Sequence, residues 1–178
     1  MGNVLQFVFV FSLTVQVAVG SYDPVAILQK YIQINTTNPA GNEGKAARFW
    51  KAFFDKAGIE SQLIVFPFGK DRINIIAKVR GDGSLRPVIL ENHMDVVPVE
   101  ISRWTVPAFA GFVKDGKIFG RGAFDMKGDA VIHALTLVAA KEKKWPLKRD
   151  LIFSGTVNEE GPFDYEKGMT SGVQWLLE

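Results

Sequence analysis

The sequence predicts an α/β fold in which helices flank a mixed, twisted sheet. Three observations favour it. Apolar residues recur at helical spacing in several segments, short apolar runs bounded by turn residues lie between them, and the two kinds of segment are interspersed along the chain. The 178 residues are 47% hydrophobic and 22% charged, a composition that suffices for one domain with an apolar core.

The predicted elements follow in chain order. Asp23 and Pro24 are typical of a helix start, because Asp caps the first turn and Pro suits the first helical position. A second helix is predicted over 43–57, where aromatic residues recur at helical spacing and Gly58 follows the end. The remaining predictions are strands over 59–66, 72–79, 88–92 and 150–157, a hairpin of Phe112–Lys114 with Lys117–Phe119, and helices over 127–143 and from about 170 onward.

The pairing of neighbouring strands is predicted from their distance along the chain. The turn-rich stretch Gly81-Asp82-Gly83-Ser84 lies between the strands at 72–79 and 88–92. An antiparallel hairpin of these two strands is therefore the simplest arrangement. The helix over 127–143 is apolar around much of its circumference, so we expect it to be buried.

Composition excludes several classes of function. The chain has no cysteine, which rules out disulfide frameworks, cysteine-zinc sites and thiol nucleophiles. The net charge is +2 without a basic block, so no nucleic-acid partner is indicated. His93 and His133 are the two histidines, and carboxylates would have to supply most ligands of any metal.

The amino-terminal segment differs from the rest of the chain. Val4–Val19 is almost wholly apolar but short for a membrane span, and Ala18-Val19-Gly20 suits cleavage before Ser21. Residues 1–20 are therefore predicted to be a signal peptide, with an uncleaved anchor or a buried element as alternatives. A cleaved signal predicts a secreted or secretory-lumen protein without a stable membrane span, in which Asn35-Thr36-Thr37 is a glycosylation sequon.

Acidic and imidazole side chains lie where predicted elements begin or end. His93 and Asp95 end a predicted strand and share one face of an extended chain. Asp125 precedes the long helix, and Glu159 and Glu160 follow the strand over 150–157. Such positions can converge at one edge of a sheet. One imidazole with several carboxylates suits Zn²⁺, Mn²⁺ or a paired-metal site, in which one glutamate binds metal and the other takes a proton from water.

Each of these residues also has a purely structural interpretation. Asp125 could be a helix cap, and the Glu159-Glu160 pair a solvated loop. His133 lies inside a predicted helix and is interpreted as structural, and Arg121 as a surface charge rather than a substrate contact. The sequence contains no Gly-x-Ser-x-Gly elbow and no phosphate-binding P-loop, so neither serine-hydrolase nor P-loop chemistry is indicated.

Three motifs in order resemble a known family. They are His93-Met94-Asp95-Val96-Val97-Pro98, Gly120-Arg121-Gly122-Ala123-Phe124-Asp125-Met126-Lys127-Gly128 and Glu159-Glu160, with Trp104 between the first two. From about Asp23 onward the sequence resembles the co-catalytic zinc hydrolases related to aminoacylase, acetylornithine deacetylase, succinyl-diaminopimelate desuccinylase and glutamate carboxypeptidase. The resemblance implies a zinc-exopeptidase-like catalytic domain.

The resemblance implies a role for each candidate residue. His93 would bind one zinc, Asp95 would orient His93, and Asp125 would bridge both metals. Glu159 would be the general base and acid, and Glu160 would bind the second zinc. The cofactor would be two Zn²⁺ ions, with Mn²⁺ or Co²⁺ as alternatives. The reaction would be hydrolysis of an amide in an N-acyl amino acid or in a peptide with a free carboxylate.

The resemblance also implies that residues 21–178 are the N-terminal portion of an incomplete catalytic domain. Family members carry a further metal-binding carboxylate, a distal histidine and a lid domain through which they dimerise, and these are not found here. We therefore expect this chain alone to bind metal weakly and to show little or no turnover, and the full-length form to be a homodimer. The alternatives are a non-catalytic secreted binding or regulatory fragment and, as a minor one, a metal phosphoesterase.

Overall fold

A computed structural model describes residues 22–167 and 169–178 of the protein. The predicted signal peptide, residues 1–20, lies outside the described residues. None of the helices in the described ranges has the length and apolar character that crossing a membrane requires. In chain order the helices and strands are α1 (Pro24–Ile32), α2 (Glu43–Lys56), β1 (Glu60–Val65), β2 (Ile73–Val79), β3 (Val88–His93), β4 (Phe112–Lys114), β5 (Lys117–Phe119), α3 (Gly128–Glu142), β6 (Leu151–Thr156) and α4 (Gly172–Leu177).

In the described residues, four strands form a mixed sheet in the order β1-β2-β6-β3. Strand β2 runs antiparallel to both β1 and β6, whereas β3 and β6 are parallel. The predicted mixed α/β fold is therefore confirmed. The predicted hairpin is also present, with Phe112 of β4 opposite Phe119 of β5.

The predicted antiparallel pairing of β2 with β3 is wrong, because β6 lies between them. The loop that joins β2 to β3 pairs with the segment that leads into β6. The Asp82 N–H in the loop donates to the Leu147 carbonyl at 2.9 Å, and the N–H of Val88, the first residue of β3, donates to the Asp150 carbonyl at 3.0 Å. These bonds help to place β6 inside the sheet, where Phe153 is fully buried.

An aromatic core, formed by Tyr31, Trp50, Phe54 and Phe153, lies between the helices and the sheet, and none of its side chains is exposed. Trp50 and Phe54 are four residues apart on α2 and so share one face of the helix. The ring of Trp50 lies 5.0 Å from that of Tyr31 and 5.4 Å from that of Phe153. Helix α2 packs on β1 and β2, and α3 packs on β2, β3 and β6.

Candidate metal centre

Strands β3 and β6 bring two of the predicted clusters to one edge of the sheet. The strands are parallel, with His93 opposite Thr156, so their carboxyl ends lie side by side. His93 ends β3, and Glu159 and Glu160 follow soon after the end of β6. Between β6 and the glutamates, Asn158 has a φ of 59°, a left-handed conformation that asparagine tolerates and that turns the chain.

The His93 ring is held so that one nitrogen faces carboxylates. The ring is 5% exposed, and Nδ1 lies 3.0 Å from the backbone carbonyl oxygen of Asp95. A carbonyl can only accept, so this bond requires Nδ1 to carry a proton, and in the neutral ring the proton-free Nε2 can bind a metal. Nε2 lies 3.0 Å from Asp125 Oδ1 and 3.8 Å from Glu159 Oε2. The tautomer is therefore the one that can bind a metal through Nε2.

The carboxylate of Asp95 contacts the segment that carries the two glutamates. It is fully buried, and its nearer oxygen lies 3.8 Å from His93 Nδ1. It accepts the backbone N–H of Glu159 at 3.1 Å and that of Glu160 at 2.8 Å, as well as the side-chain amide of Asn38. Asp95 therefore orients His93 through its backbone and the glutamates through its side chain.

Asp125 reaches the cluster from an irregular helical turn, Ala123–Lys127, before α3. Its backbone is not helical (φ −117°, ψ 98°), and the Asp125–Met126 peptide bond is cis. The side chain is 69% exposed, in contrast to the buried His93. Asp125 thus lies at the solvent-facing side of the centre.

Lys127 fixes the turn that carries Asp125. Its side chain is fully buried, and Nζ donates to the carbonyls of Tyr31 at 3.1 Å and Ile34 at 2.6 Å. Tyr31 lies in the last turn of α1 and Ile34 just beyond it, so Lys127 ties the turn that carries Asp125 to the end of α1. Nζ also lies 4.7 Å from the centroid of the Tyr31 ring. Burial lowers the pKa of Lys127 to about 7.

The assembled cluster carries an excess of negative charge. Potential ligand atoms of His93, Glu159 and Glu160 all lie within 4.8 Å of one another. Burial acts to lower the pKa of His93, but Asp95, Glu159 and Asp125 outweigh it and raise that pKa above its ordinary value. Burial raises the pKa of Glu160, and the neighbouring carboxylates add to this although His93 opposes it. A bound cation would neutralise these repulsions.

The donor set fits a divalent metal. Within residues 22–167 and 169–178, no lysine or arginine forms an ion pair with Asp125, Glu159 or Glu160. One imidazole nitrogen and several carboxylate oxygens are the ligands that Zn²⁺ and Mn²⁺ commonly take in proteins. The residues present can therefore hold the predicted metal.

Two residues with structural interpretations lie outside the cluster. His133 is half-buried on α3, and its Nδ1 has no hydrogen-bond partner in the part of the chain described. Arg121 differs from the predicted surface charge, because it is half-buried. Its guanidinium lies 5.5 Å from the ring centroid of Trp104, and Nη2 donates to the Pro98 carbonyl at 3.3 Å.

Sequence reasoning missed three buried residues that form hydrogen bonds next to the site, Asn38, Arg72 and Lys127. For Lys127, the available indication was its place two residues after Asp125 in the Asp-x-Lys-Gly run. Asn38 and Arg72 offered no comparable indication, because polar residues in turn-rich stretches are usually exposed.

A comparison with family models covers the same residues. The model described as peptidase family M20/M25/M40 matches residues 89–178, about half of the chain. The match includes His93, Asp125, Glu159 and Glu160. The chain belongs to this family. The resemblance predicted from the motifs is confirmed, and the M20 family is one of hydrolases.

Curated relatives agree with the M20 assignment. The chain is 33% identical over 140 residues to a probable succinyl-diaminopimelate desuccinylase of Staphylococcus aureus (strain N315), which covers 78% of the chain and 33% of that protein. It is 35% identical over 146 residues to a succinyl-diaminopimelate desuccinylase of Methylorubrum extorquens, which covers 79% of the chain and 37% of that protein. The chain thus spans about a third of the length of these relatives.

Solved structures show the same fold. An M20 family metallo-carboxypeptidase from Sulfolobus solfataricus aligns with a TM-score of 0.67 at 20% identity, covering 75% of this chain and 30% of the other. A dinuclear metal-binding M20 peptidase from Bacillus subtilis aligns with a TM-score of 0.52 at 18% identity, and the alignment covers 77% of this chain and 36% of the other. At these identities the likeness supports the mixed α/β architecture of the M20 family.

Proposed function

We propose that the chain carries the zinc-binding and proton-transferring residues of an enzyme that hydrolyses an amide bond in an N-acyl amino acid or in a peptide with a free C-terminal carboxylate. The observation that carries the proposal is that ligand atoms of His93, Glu159 and Glu160 lie within 4.8 Å of one another, with Asp125 Oδ1 3.0 Å from His93 Nε2. Membership of the M20 family, and relatives named as desuccinylases and peptidases, support an amide as the bond that is cleaved.

His93, Asp125 and Glu160 would hold the two zinc ions, for which Mn²⁺ or Co²⁺ could substitute. Bound zinc would polarise the substrate carbonyl and lower the pKa of the attacking water. His93 suits this role because its Nδ1 is held by the Asp95 carbonyl, and its Nε2, which faces Asp125 Oδ1 at 3.0 Å, can exchange a proton for a metal.

Glu159 is the proposed general base and acid. Its side chain is 51% exposed, so water and substrate can reach it, and Oε2 lies 3.8 Å from His93 Nε2. It takes a proton from the attacking water and then gives that proton to the amine nitrogen that leaves. Asp95 fixes the position of Glu159 because its buried carboxylate accepts the Glu159 backbone N–H.

Metal binding by the purified chain tests the ligand set directly. Competition titration with a chelating dye should give a zinc affinity that falls at least tenfold in His93→Ala. His133→Ala is the matched control, since His133 is the other histidine of the sequence, is half-buried, and lies outside the cluster. Equal losses in the two variants, or an unchanged affinity in His93→Ala, would contradict the proposed site.

Turnover tests the assigned base and is measured on the longest natural form of the protein as well as on this chain. Glu159→Gln should reduce hydrolysis of N-acyl amino acids by roughly a hundredfold or more while metal content stays unchanged. Glu160→Gln should lose metal as well as turnover. Wild-type turnover in Glu159→Gln would refute the assigned base, and turnover of a phosphate ester instead of an amide would favour a phosphoesterase.

We also propose that the protein enters the secretory route. The apolar run over residues 4–19 supports this, and Asn35 of the sequon is exposed. The Asn35 Oδ1 accepts the backbone N–H and the hydroxyl of Thr37, which leaves the amide nitrogen outward in the turn after α1. Expression in a secretory cell should yield a product that begins at Ser21 and loses mass on deglycosylation. Intracellular retention with an intact N-terminus would argue against it.

A further inference from the structure

Arg72, just before β2, is buried at 6% exposure, and its guanidinium donates four hydrogen bonds to other described residues. Nη1 donates to Glu43 Oε1 at 2.7 Å and to Asn158 Oδ1 at 2.8 Å. Nη2 donates to Asn38 Oδ1 at 2.7 Å and to the Pro39 carbonyl at 3.0 Å. Two of these bonds therefore end on side-chain amides rather than on the acid that balances the charge of Arg72.

The bond to Asn38 connects Arg72 with the metal centre. A guanidinium can only donate hydrogen bonds, so Asn38 must turn its oxygen towards Arg72 and its NH₂ group away from it. That NH₂ group donates to the buried carboxylate of Asp95. Asp95 in turn accepts the backbone N–H groups of Glu159 and Glu160. A hydrogen-bonded path thus runs from Arg72 to both glutamates.

The bond to Asn158 reaches the same glutamates from the other side. Asn158 precedes Glu159, and its Oδ1 is held by Arg72. Its NH₂ group is therefore directed to the carbonyls of Pro162 at 3.3 Å and Thr170 at 3.1 Å. Arg72 therefore fixes the amide orientation of two asparagines, one below the glutamates and one at the turn that leads to them.

A plain buried ion pair would not need this arrangement. Arg72 and Glu43 alone would satisfy each other's charge, and such pairs are weak evidence for stability. Here Glu43 leaves Oε2 without a partner in the described residues, while Arg72 donates three further hydrogen bonds to two side-chain amides and a carbonyl. We call Asn38, Glu43, Arg72, Asp95 and Asn158 the polar base of the centre.

We propose that Arg72 is a positioning residue of the metal centre: through Asn38 and Asn158 it sets where Asp95 holds the backbone of Glu159 and Glu160. The proposal rests on the proposed function, because it concerns the geometry of the same site. It assigns to Arg72 no contact with substrate or metal.

The test compares Arg72→Met, Arg72→Lys and Asn38→Leu with the wild type. Asn38→Leu interrupts the path to Asp95 but keeps the Arg72–Glu43 pair. Arg48→Met is the matched control, because Arg48 pairs with Asp71, the neighbour of Arg72, at the exposed surface. Cobalt affinity and the visible absorption spectrum of bound Co²⁺ report the ligand geometry of each folded variant.

We expect Arg72→Met and Asn38→Leu to lower cobalt affinity at least tenfold and to change the spectrum, Arg72→Lys to restore part of both, and Arg48→Met to match the wild type. Wild-type affinity and spectrum in folded Asn38→Leu would overturn the proposal. If Arg72→Met does not fold, Asn38→Leu decides the question by itself.

A second readout needs no metal. Amide hydrogen exchange of Glu159 and Glu160 reports the two bonds to Asp95, and it should be at least tenfold faster in Asn38→Leu than in the wild type or Arg48→Met. Unchanged exchange would contradict the role of Arg72. If the wild type binds no metal, but exchange at Glu159 and Glu160 is still faster in Asn38→Leu than in the wild type, the proposed function is contradicted and the positioning role is supported.

Discussion

The aromatic core and the polar base are both excluded from solvent, and they hold their residues in place by different means. In the aromatic core, Trp50 touches several rings at centroid distances of 5.0 to 6.1 Å, and no single pair defines its position. In the polar base, Arg72 makes four directed hydrogen bonds of 2.7 to 3.0 Å. Side-chain positions in the aromatic core depend on how the side-chain volumes fit together, and those in the polar base depend on which donor faces which acceptor.

This difference determines what each region can tolerate. A packed core accepts substitutions that conserve volume, because dispersion and burial have little direction. A buried polar network leaves unpaired groups when one member is lost, and each unpaired group costs free energy. The core therefore sets stability, and the polar base sets the geometry of the centre above it.

The largest loss of stability is expected for Trp50→Ala in the aromatic core. Removing a fully buried ring should lower the free energy of unfolding by about 3–5 kcal/mol in urea titrations. Zinc affinity of the protein that remains folded should not change. Ile101→Ala, at a side chain that is 81% exposed, is the control and should stay within about 0.5 kcal/mol of the wild type. A parallel loss of zinc affinity would remove the distinction between the two regions.

Lys127→Met should affect both the aromatic core and the metal centre, because Lys127 lies over Tyr31 of the core and two residues from Asp125. Loss of the two bonds to the Tyr31 and Ile34 carbonyls should cost about 2–4 kcal/mol. Lys141→Met is the matched control: Lys141 also donates to a backbone carbonyl, but at the exposed surface. Equal losses in the free energy of unfolding in the two variants would show that the loss in Lys127→Met does not arise from the burial of Lys127.

Glu43 should make stability depend on pH. Burial raises its pKa to about 7 although Arg72 acts to lower it. Since the folded-state pKa lies above the ordinary value of 4.5, the folded protein binds the extra proton, and this contribution is fully present below pH 4.5 and lost as the pH rises through 7. Between pH 5 and 8, the free energy of unfolding should therefore fall by about 2–3 kcal/mol less in Glu43→Gln than in the wild type, as measured by urea titrations. Parallel curves would contradict the prediction.

The smallest effect on stability is expected for Asp125→Asn. The side chain is 69% exposed, so the free energy of unfolding without metal should change by less than about 0.5 kcal/mol. Zinc affinity should nevertheless fall at least tenfold, because Asp125 is a proposed ligand of the metal. Asp129→Asn, a nearby exposed acid outside the cluster, serves as control. A stability loss as large as that of Trp50→Ala would place Asp125 among the structural residues.

The aromatic core could be predicted from the sequence because its pattern is local. Trp50 and Phe54 repeat at helical spacing, which indicates a buried helix face. The apolar run before His93 indicates a strand correctly, but β3 lies at the edge of the described sheet and Ile89 is 53% exposed, so the length of that run does not show burial. The order of strands could not be predicted in the same way. The turn after β2 favours a local hairpin, and the bonds that exclude it, such as Asp82 with Leu147, join segments far apart in the chain.

The polar base could not be predicted for a similar reason. Asn38, Arg72 and Asp95 lie on separate segments, and each has an ordinary local context. The motifs do identify His93, Asp125 and Glu159 as candidates, because ligand types at the ends of elements are visible in the sequence. The second role of Asp95, holding the glutamate backbone, requires knowing that β3 and β6 are parallel neighbours.

The insertion of β6 between β2 and β3 has a consequence for protein synthesis. Asp95 and Glu160 are 65 residues apart in sequence and form a hydrogen bond, so the centre depends on contacts between residues that are far apart in the chain. A nascent chain that has not yet reached β6 holds β2 and β3 without the strand they share. The edges of both strands are then unpaired, a state prone to aggregation. Emergence of residues 151–160 from the ribosome is the step that joins these edges.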